Sequence, residues 1–196
     1  LSLGDQCSSA FFSAVIREKC VNSSAFDVRR VLRTDSHFGR AEPQVEQIAT
    51  LARDYLQPLL AEQVIVTQGF IGADEAGQTT TLGRGGSDYS AALLAEALRA
   101  SAVEIWTDVA GIYTTDPRLA PNAFPIAEIS FNEAAEMATF GAKVLHPATI
   151  LPAVRQQIQV FVGSSKEPEK GGTWIRHQVE DAPVFRAVAL RRDQTL

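Results

Sequence analysis

The residues best suited to chemistry lie in a glycine-rich segment, Gly83-Arg84-Gly85-Gly86, which joins a short extended run to a predicted helix that is capped by Ser87-Asp88. Three glycines within four positions let the backbone approach a ligand closely, and the following helix presents free N–H groups and the positive end of its dipole. A tight strand-to-helix turn would also explain the glycines. Arg84 favours an anion site, because a guanidinium can bind a carboxylate or a phosphate through two hydrogen bonds.

A second cluster of polar side chains follows the strand that is predicted at residues 104–108. Thr107 and Asp108 lie at the carboxyl end of this strand, which is where α/β sheets bind their ligands. Further along the chain, Tyr113 could contact a base and Arg118 could contact phosphates. Taken alone, such a tyrosine is more often a packing residue.

Other residues and patterns carry weaker signals. Lys143 lies beside a glycine between two predicted helices, where a lone lysine is usually a solvated surface residue. His37, His146 and His177 show no metal-ligand spacing, so we predict no metal-ligating side chains. The spacing of a P-loop is absent, and Asp88 occupies the third glycine position of a G-x-G-x-x-G pattern. The G-x-S-x-G elbow of serine hydrolases is absent as well.

The composition excludes several classes of partner. The chain has 23 acidic and 18 basic side chains and a formal net charge of −5, so it offers no diffuse basic field for nucleic acid. An anionic ligand must therefore find its positive charge locally. No apolar run approaches the roughly 18 to 20 residues that a membrane span requires. Cys7 and Cys20 are predicted on one helix, about 20 Å apart, which is too far for a disulfide and fits a reducing cytoplasm.

The elements that must position these residues alternate between strands and helices, which indicates a layered α/β domain with a mainly parallel sheet. Helices are predicted at residues 4–19, 43–60, 89–100, 131–140 and 147–156. Strands are predicted at residues 24–28, 64–72, 79–82, 104–108, 159–164, 174–176 and 185–192. The run at 64–72, VIVTQGFIG, is typical of a strand that is buried on both faces.

Several segments together resemble the aspartokinases of the amino acid kinase family, most closely their lysine-sensitive bacterial type. The resemblance extends along almost the whole chain, in the segments FDVRRVLRTDSHFGRAEP, VIVTQGFIG, TTTLGRGGSDYSAALLAEAL, WTDVAGIYTTDPR, EMATFGAKVLHPATILPA and VFVGSS. No single segment would suffice, but their order and joint occurrence are highly specific. The resemblance implies a three-layer α/β/α sandwich of the amino acid kinase type.

The implied reaction transfers the γ-phosphoryl group of ATP to the β-carboxylate of L-aspartate, giving 4-phospho-L-aspartate, the first step of lysine, threonine and methionine biosynthesis. An aspartate side chain has an ordinary pKa of about 3.9, so the acceptor is already ionised at neutral pH and needs no general base. Because the reaction brings two anions together, cations, helix dipoles and Mg²⁺ should dominate catalysis. ATP and Mg²⁺ are the implied cofactors.

Carried over residue by residue, the resemblance implies a role for each side chain on the aspartate side. Arg84 would clamp a carboxylate of the substrate, with Gly85 and Ser87 as amide or hydroxyl donors. Phe70 resembles a wall of the aspartate pocket. Asp88 would organise the region of the transferring phosphoryl group by orienting donors or metal, since its negative charge cannot bind phosphates directly.

On the nucleotide side, Thr107, Asp108, Tyr113 and Arg118 resemble the ATP-binding set. Lys143 resembles the lysine that contacts the ATP phosphates, and together with Arg84 and Asp88 it completes the expected catalytic residues.

The chain departs from the family at two places near its N-terminus. Asp5 stands where the family has a glutamate that contacts the substrate, so the carboxylate is one methylene shorter. The family's N-terminal strand, with a Lys-Phe-Gly-Gly-Thr-Ser loop, has no counterpart in the chain. We therefore expect this chain alone to bind ATP–Mg²⁺ weakly and to be a poor catalyst.

The expected organisation is a partial catalytic domain at residues 1–181 and a linker at residues 182–196 that leads toward an ACT regulatory domain. The parent enzyme is expected to form a homodimer through such domains in the cytoplasm. Two alternatives stay open, namely another amino acid kinase with a glutamate, acetylglutamate or nucleotide acceptor, and a non-catalytic nucleotide-binding module.

Overall fold

The structure is a computed structural model that describes residues 2–83, 85–139, 147–180, 183 and 185–188. Its α-helices are α1 (Ser2–Glu18), α2 (Val45–Leu51), α3 (Gln57–Leu60), α4 (Gly86–Leu98), α5 (Phe131–Thr139) and α6 (Leu151–Arg155). Its strands are β1 (Ser23–Phe26), β2 (Val64–Thr67), β3 (Ile71–Ala73), β4 (Thr79–Thr81), β5 (Ala102–Thr107), β6 (Glu128–Ser130), β7 (Gln159–Ser164) and β8 (Gly172–Arg176). One turn of π-helix at Ala52–Leu56 joins α2 to α3. Within the described residues, no helix has the length and apolar character to cross a membrane.

The chain forms two compact units, Leu1–Ala100 and Ser101–Leu196. In the first unit β1 and β2 pair in parallel, and β3 and β4 form an antiparallel hairpin. Helix α1 packs on β1 and β2, and α2 packs on α4. Fully buried apolar side chains form the core of this unit and help to hold its short strands together: Val28, Val31, Leu32, Ile48, Ile71 and Leu93.

The second unit is built on a four-stranded sheet in the order β5-β7-β8-β6. Strands β5 and β7 are parallel, β6 and β8 are parallel, and β7 and β8 are antiparallel. Buried aliphatic side chains from all four strands form its core: Val103, Ile129, Val160, Val162 and Ile175. On β5, β7 and β8, three aromatic rings touch in sequence: Trp106 and Phe161 have centroids 5.3 Å apart, and Phe161 and Trp174 have centroids 5.0 Å apart.

Most predicted elements exist, with ends that move by a few residues. The predicted run at 64–72 is wrong as a single strand buried on both faces. Strand β2 ends at Thr67, Val64 is 45% exposed, and the chain turns before β3 begins at Ile71. The physical reason lies in Gln68, whose buried side chain bonds elsewhere, and in Phe70, whose φ of 70° cannot continue a strand.

Two further expectations differ from the structure. Strand β6, which is only three residues long, was not expected from the sequence pattern. The strand predicted at residues 185–192 is wrong at residues 185–188, which have no regular structure and bond to loops and helix ends: Arg186 donates to Glu133 (2.7 Å), and the N–H of Val188 donates to the carbonyl of Thr114 (2.8 Å). The domain boundary predicted after residue 181 stays a prediction, because residues 181, 182, 184 and 189–196 lie outside the described residues.

Candidate active site

The turn between β4 and α4 has the backbone of an anion site. Gly83 and Gly85 have φ values of 82° and 71°, which favour glycine strongly, and Gly85 is the N-cap of α4. No side chain caps this helix end, so N–H groups of its first turn can bind a ligand. Arg84, the predicted clamp between the two glycines, lies outside the described residues. The turn therefore has the predicted geometry, and the position of its cation stays a prediction.

A sharp corner of the chain at Gln68-Gly69-Phe70 packs directly against this helix end. A Cβ added to Gly86 would lie 2.6 Å from Cδ2 of Phe70, and one added to Gly69 would lie 3.1 Å from Cα of Ser87. Both glycines are therefore needed for close approach, and they bring Phe70 next to the first turn of α4. The structure thus groups four of the predicted aspartate-side residues at one place: Phe70, Gly85, Ser87 and Asp88.

Asp88 is half-buried in the first turn of α4. Burial raises the pKa of Asp88, and a hydrogen bond with Ser87 offsets only part of this effect. A carboxyl whose charged form is disfavoured by its surroundings, at the end of a helix next to an open backbone turn, is a typical feature of functional sites.

Asp5, the remaining predicted aspartate-side residue, lies in the first turn of α1. Four residues later on the same helix, the hydroxyl of Ser9 accepts a hydrogen bond of 2.7 Å from Nε2 of Gln68. The Oε1 atom of Gln68 accepts a second bond, of 2.9 Å, from the N–H of Val28. The helix that carries Asp5 is therefore bonded to the corner that carries Phe70.

The structure adds a polar pair, Asp27 and Arg29, that the sequence motifs do not indicate. Arg29 donates two hydrogen bonds through Nε to Asp27 and a third through Nη2 at 2.6 Å. Its Nη1 also donates to the hydroxyl of Thr79 at the start of β4 (2.9 Å). The bond with Arg29 lowers the pKa of Asp27, against an opposing effect of burial. A D-x-R spacing in the FDVRR segment was the available signal, but it does not reveal the contact with β4.

In the second unit, two predicted nucleotide residues lie at the carboxyl end of β5. The hydroxyl of Thr107 donates to Oδ1 of Asp108 (3.2 Å), and Asp108 is exposed. The carbonyl of Thr107 accepts bonds from the N–H and the hydroxyl of Ser165, which follows the parallel strand β7. The ends of two adjacent parallel strands are therefore tied together, in the position where α/β sheets bind ligands.

The loop after β5 carries Tyr113 and Arg118. The backbone of Tyr113 pairs with Pro125, and the neighbouring Ile112 N–H donates to the hydroxyl of Thr173 on β8 (2.8 Å). The side chain of Arg118 is 84% exposed and binds both carboxylate oxygens of Asp116, which raises the pKa of Arg118. The guanidinium is therefore oriented and permanently positive, yet open to solvent.

Lys143, which is a predicted site residue, and His146 lie outside the described residues. Of the other histidines, His37 is exposed and pairs with Asp35 (2.6 Å) within its own loop, and His177 follows β8. In chemical terms, the first unit offers an uncapped helix end with an apolar wall for a small anion. The second unit offers strand-end hydroxyl and carboxylate groups and an oriented guanidinium, a set suited to a phosphorylated ligand.

The chain is similar to known proteins of one family. Residues 1–164 match the model of the amino acid kinase family. The chain is 61% identical over all of its 196 residues to lysine-sensitive aspartokinase 3 of Escherichia coli, and it covers 44% of that protein. It is 41% identical, over its full length, to an aspartokinase of Chlamydia pneumoniae, and again covers 44% of the relative. The chain thus spans less than half the length of these curated relatives.

Among solved structures, the chain resembles E. coli aspartokinase III in complex with aspartate and ADP in the R-state. The TM-score is 0.89 at 61% identity, over 96% of this chain and 42% of that one. This likeness confirms the predicted α/β class and the amino acid kinase fold.

Proposed function

Because the chain belongs to the amino acid kinase family, we propose that the protein containing it is an aspartate kinase, which transfers the γ-phosphoryl group of ATP to the β-carboxylate of L-aspartate. The observation that carries the proposal is the 61% identity with lysine-sensitive aspartokinase 3 of E. coli over all 196 residues of the chain. The chemistry of the candidate residues also supports the proposal, because they are suited to binding two anions. They include no histidine that could act as a general base, and an ionised carboxylate acceptor requires none.

On the acceptor side, the uncapped start of α4 and Arg84 would bind a carboxylate of aspartate, with Gly85 and Ser87 as donors. The ring of Phe70, which lies against Gly86, would form the apolar wall. Asp5 would face the ammonium group of the substrate. Oriented donors of this kind lower the barrier by holding the attacking oxygen in place and by stabilising charge as it moves.

On the nucleotide side, Tyr113 would contact the base, and Thr107 and Asp108 would bind at the end of β5. Arg118 and Lys143 would neutralise phosphate charge. Asp88, with Arg84 and Lys143, would complete the catalytic set by orienting donors around the transferring group.

Mg²⁺ would enter the proposed site bound to the phosphates of the nucleotide. Among the described residues, no three His, Cys, Asp or Glu side chains converge as metal ligands. Mg²⁺ keeps several waters and is commonly held by phosphate oxygens with one or two carboxylates, so exposed groups such as Asp108 suffice. When bound, the ion would neutralise charge that develops on the phosphates.

The proposed cellular setting follows from the reaction. The proposed reaction is the entry step of lysine, threonine and methionine biosynthesis, including the diaminopimelate route. We place it in the cytoplasm, where ATP is available. We propose that the protein acts as a homodimer, assembled through regulatory domains like those of the family.

The test is aspartate-dependent turnover of the gene product that contains this chain, measured by trapping the acyl phosphate with hydroxylamine. Arg84→Ala should reduce turnover at least about hundredfold, as expected when a charged transition-state contact is lost. Arg17→Ala, which removes an exposed arginine at the end of α1, should leave it unchanged.

Turnover with glutamate, acetylglutamate or a nucleoside monophosphate, but not with aspartate, would instead identify another amino acid kinase. ATP binding without turnover of any acceptor would indicate a non-catalytic module.

A further inference from the structure

Phe70 has a backbone conformation that a bulky side chain rarely adopts. Its φ is 70°, and the N–H of Ile71 donates to the carbonyl of Gly69 across it at 2.9 Å. These features define a γ-turn with positive φ at its central residue, which is the rare and strained form. Such outliers persist only where the surroundings hold them, and they cluster at functional sites.

One buried hydroxyl holds this turn. The Oγ atom of Ser90 accepts a hydrogen bond of 2.8 Å from the N–H of Phe70 and donates one of 2.7 Å to the carbonyl of Gly86. Ser90 is 2% exposed, so water cannot replace either bond. The carbonyl of Phe70 in turn accepts a hydrogen bond of 3.0 Å from the N–H of Leu82, which follows β4. The strained residue is thus bonded to the elements on both sides of the glycine-rich turn.

We propose that Ser90 is a positioning residue for the acceptor pocket, acting through Phe70 rather than on the substrate. A single hydroxyl links the first turn of α4, which supplies donors, to the backbone of the residue that forms the apolar wall. Loss of this hydroxyl removes the partner of the part-buried N–H of Phe70, and the γ-turn can then relax. The wall moves away from the helix end, and aspartate loses its fit while the nucleotide does not. This inference rests on the proposed function.

The first test compares Ser90→Ala with Ser90→Thr in the gene product that contains the chain. Ser90→Ala should raise KM for aspartate roughly tenfold, as expected for loss of one buried hydrogen bond, with KM for ATP within twofold of the wild type. Ser90→Thr keeps the hydroxyl and should restore most of the aspartate KM. If Ser90→Ala does not fold, Ser90→Cys replaces the hydroxyl with a weaker hydrogen-bonding group of similar size. This variant should also raise KM for aspartate and not KM for ATP, but by a smaller factor.

A double-mutant cycle separates this role from a purely structural one. Phe70→Gly removes the ring and relieves the strain, because glycine adopts positive φ freely. If Ser90 acts through Phe70, adding Ser90→Ala to Phe70→Gly should change the aspartate KM by less than twofold. As a control, Ser13→Ala removes another fully buried serine hydroxyl, which lies on α1 near Ser23. It should alter stability without changing the ratio of the two KM values.

Each other outcome counts against the inference. Equal rises in both KM values, or an effect of Ser90→Ala that persists unchanged with Phe70→Gly, would mean that Ser90 only supports the fold. An unchanged aspartate KM in Ser90→Ala would overturn the inference while the proposed function stands. A wild-type protein without aspartate-dependent turnover would overturn the proposed function and this inference together.

Discussion

Asp88 experiences two opposing influences at the start of α4. The helix dipole favours a negative charge in the first turn. Burial disfavours it, and the raised pKa of Asp88 indicates that burial dominates, even with a hydrogen bond from Ser87. A group that is held at a cost to stability is expected where it contributes to function, since stability and activity often oppose each other at active sites.

We expect Asp88→Asn to separate these contributions. At pH 7 to 8 the variant should unfold at a higher temperature than the wild type, because it no longer carries a carboxylate whose charged form is disfavoured in the folded state. The pKa of Asp88 is raised in the folded state, so this difference should shrink as the pH falls and the wild-type carboxyl takes up its proton. Thermal unfolding followed by circular dichroism over a pH series measures both effects.

The same substitution should lower kcat by about 10- to 100-fold, as is typical when a residue that orients the groups around a metal or phosphoryl centre is lost. The control is Asp54→Asn, which removes an exposed carboxylate from the first unit and should change neither property. A variant of Asp88 that is less stable at pH 7 and equally active would contradict both parts of the argument.

At the level of single residues, the sequence could predict the glycine-rich turn and its neighbours, because glycine spacing and the approximate start of a helix are local properties. The family resemblance indicates Phe70 and Ser87. In the structure, Phe70 lies against Gly86 and Ser87 lies against Gly69. Ser90 and Gln68 could not be identified in this way. Their importance depends on bonds to groups that are distant in sequence, such as Val28, 40 residues from Gln68.

Among the elements, α5 is fixed at its N-terminus by a reciprocal capping box. The N–H and hydroxyl of Ser130 donate to Oε2 of Glu133, and the N–H of Glu133 donates back to the hydroxyl of Ser130. The other oxygen of Glu133 accepts from Nε of Arg186 (2.7 Å), and Nη1 of Arg186 donates to the carbonyl of Glu128. One carboxylate thus starts a helix and also anchors the segment at residues 185–188.

This arrangement predicts a specific loss of stability in acid. Burial raises the pKa of Glu133, but the bonds from Ser130 and the guanidinium of Arg186 outweigh it and hold the pKa below the ordinary value. A carboxyl with a lowered folded-state pKa stabilises the fold above its unfolded-state pKa, and this contribution disappears as the pH falls through the folded-state value. Glu133→Gln keeps an acceptor for the capping box but loses the negative charge that faces Arg186, so it should cost about 1 kcal/mol at pH 7, the usual value of one net hydrogen bond.

The difference between Glu133→Gln and the wild type should decrease between pH 5 and pH 3, roughly the range in which glutamate takes up its proton. Denaturant unfolding at several pH values gives the measurement. Glu136→Gln, an exposed position on the same helix, is the matched control and should have a small effect at every pH. A constant difference between Glu133→Gln and the wild type from pH 7 to pH 3 would show that the carboxylate charge is unimportant.

Helices were easier to predict from the sequence than strands, because helix signals are local and strand ends depend on distant contacts. The run AALLAEAL predicts the body of α4, because its residues have high helix propensity. The cap signal at Ser87-Asp88 puts the start of the helix too late, since α4 begins at Gly86 with Gly85 as its N-cap. The apolar run at 64–72 conceals its break, since nothing in a β-branched pattern reveals that Gln68 is bonded to α1 and that Phe70 turns the chain. Strand β6 escapes prediction because three residues are too few to establish an alternation.

Over the whole chain, a net charge of −5 must be reconciled with the two anionic substrates that we propose. The proposed site achieves this with a few placed cations, Arg84, Arg118 and Lys143, instead of a basic surface. The proposed roles also divide between the two compact units. The described aspartate-side residues lie in Leu1–Ala100, and the described nucleotide-side residues lie in Ser101–Leu196.

This division predicts that a substitution in one unit changes the affinity for one substrate. Arg118 is oriented by two bonds to Asp116 but exposed on its outer side, so its charge is available to a phosphate. Arg118→Gln should raise KM for ATP roughly tenfold and leave KM for aspartate within twofold, because one charge-assisted contact is lost at the nucleotide alone. Arg17→Gln removes an equal charge from an exposed position in the first unit and should change neither value. If both arginine variants raised KM for ATP equally, the overall charge of the protein, and not a placed guanidinium, would govern nucleotide binding.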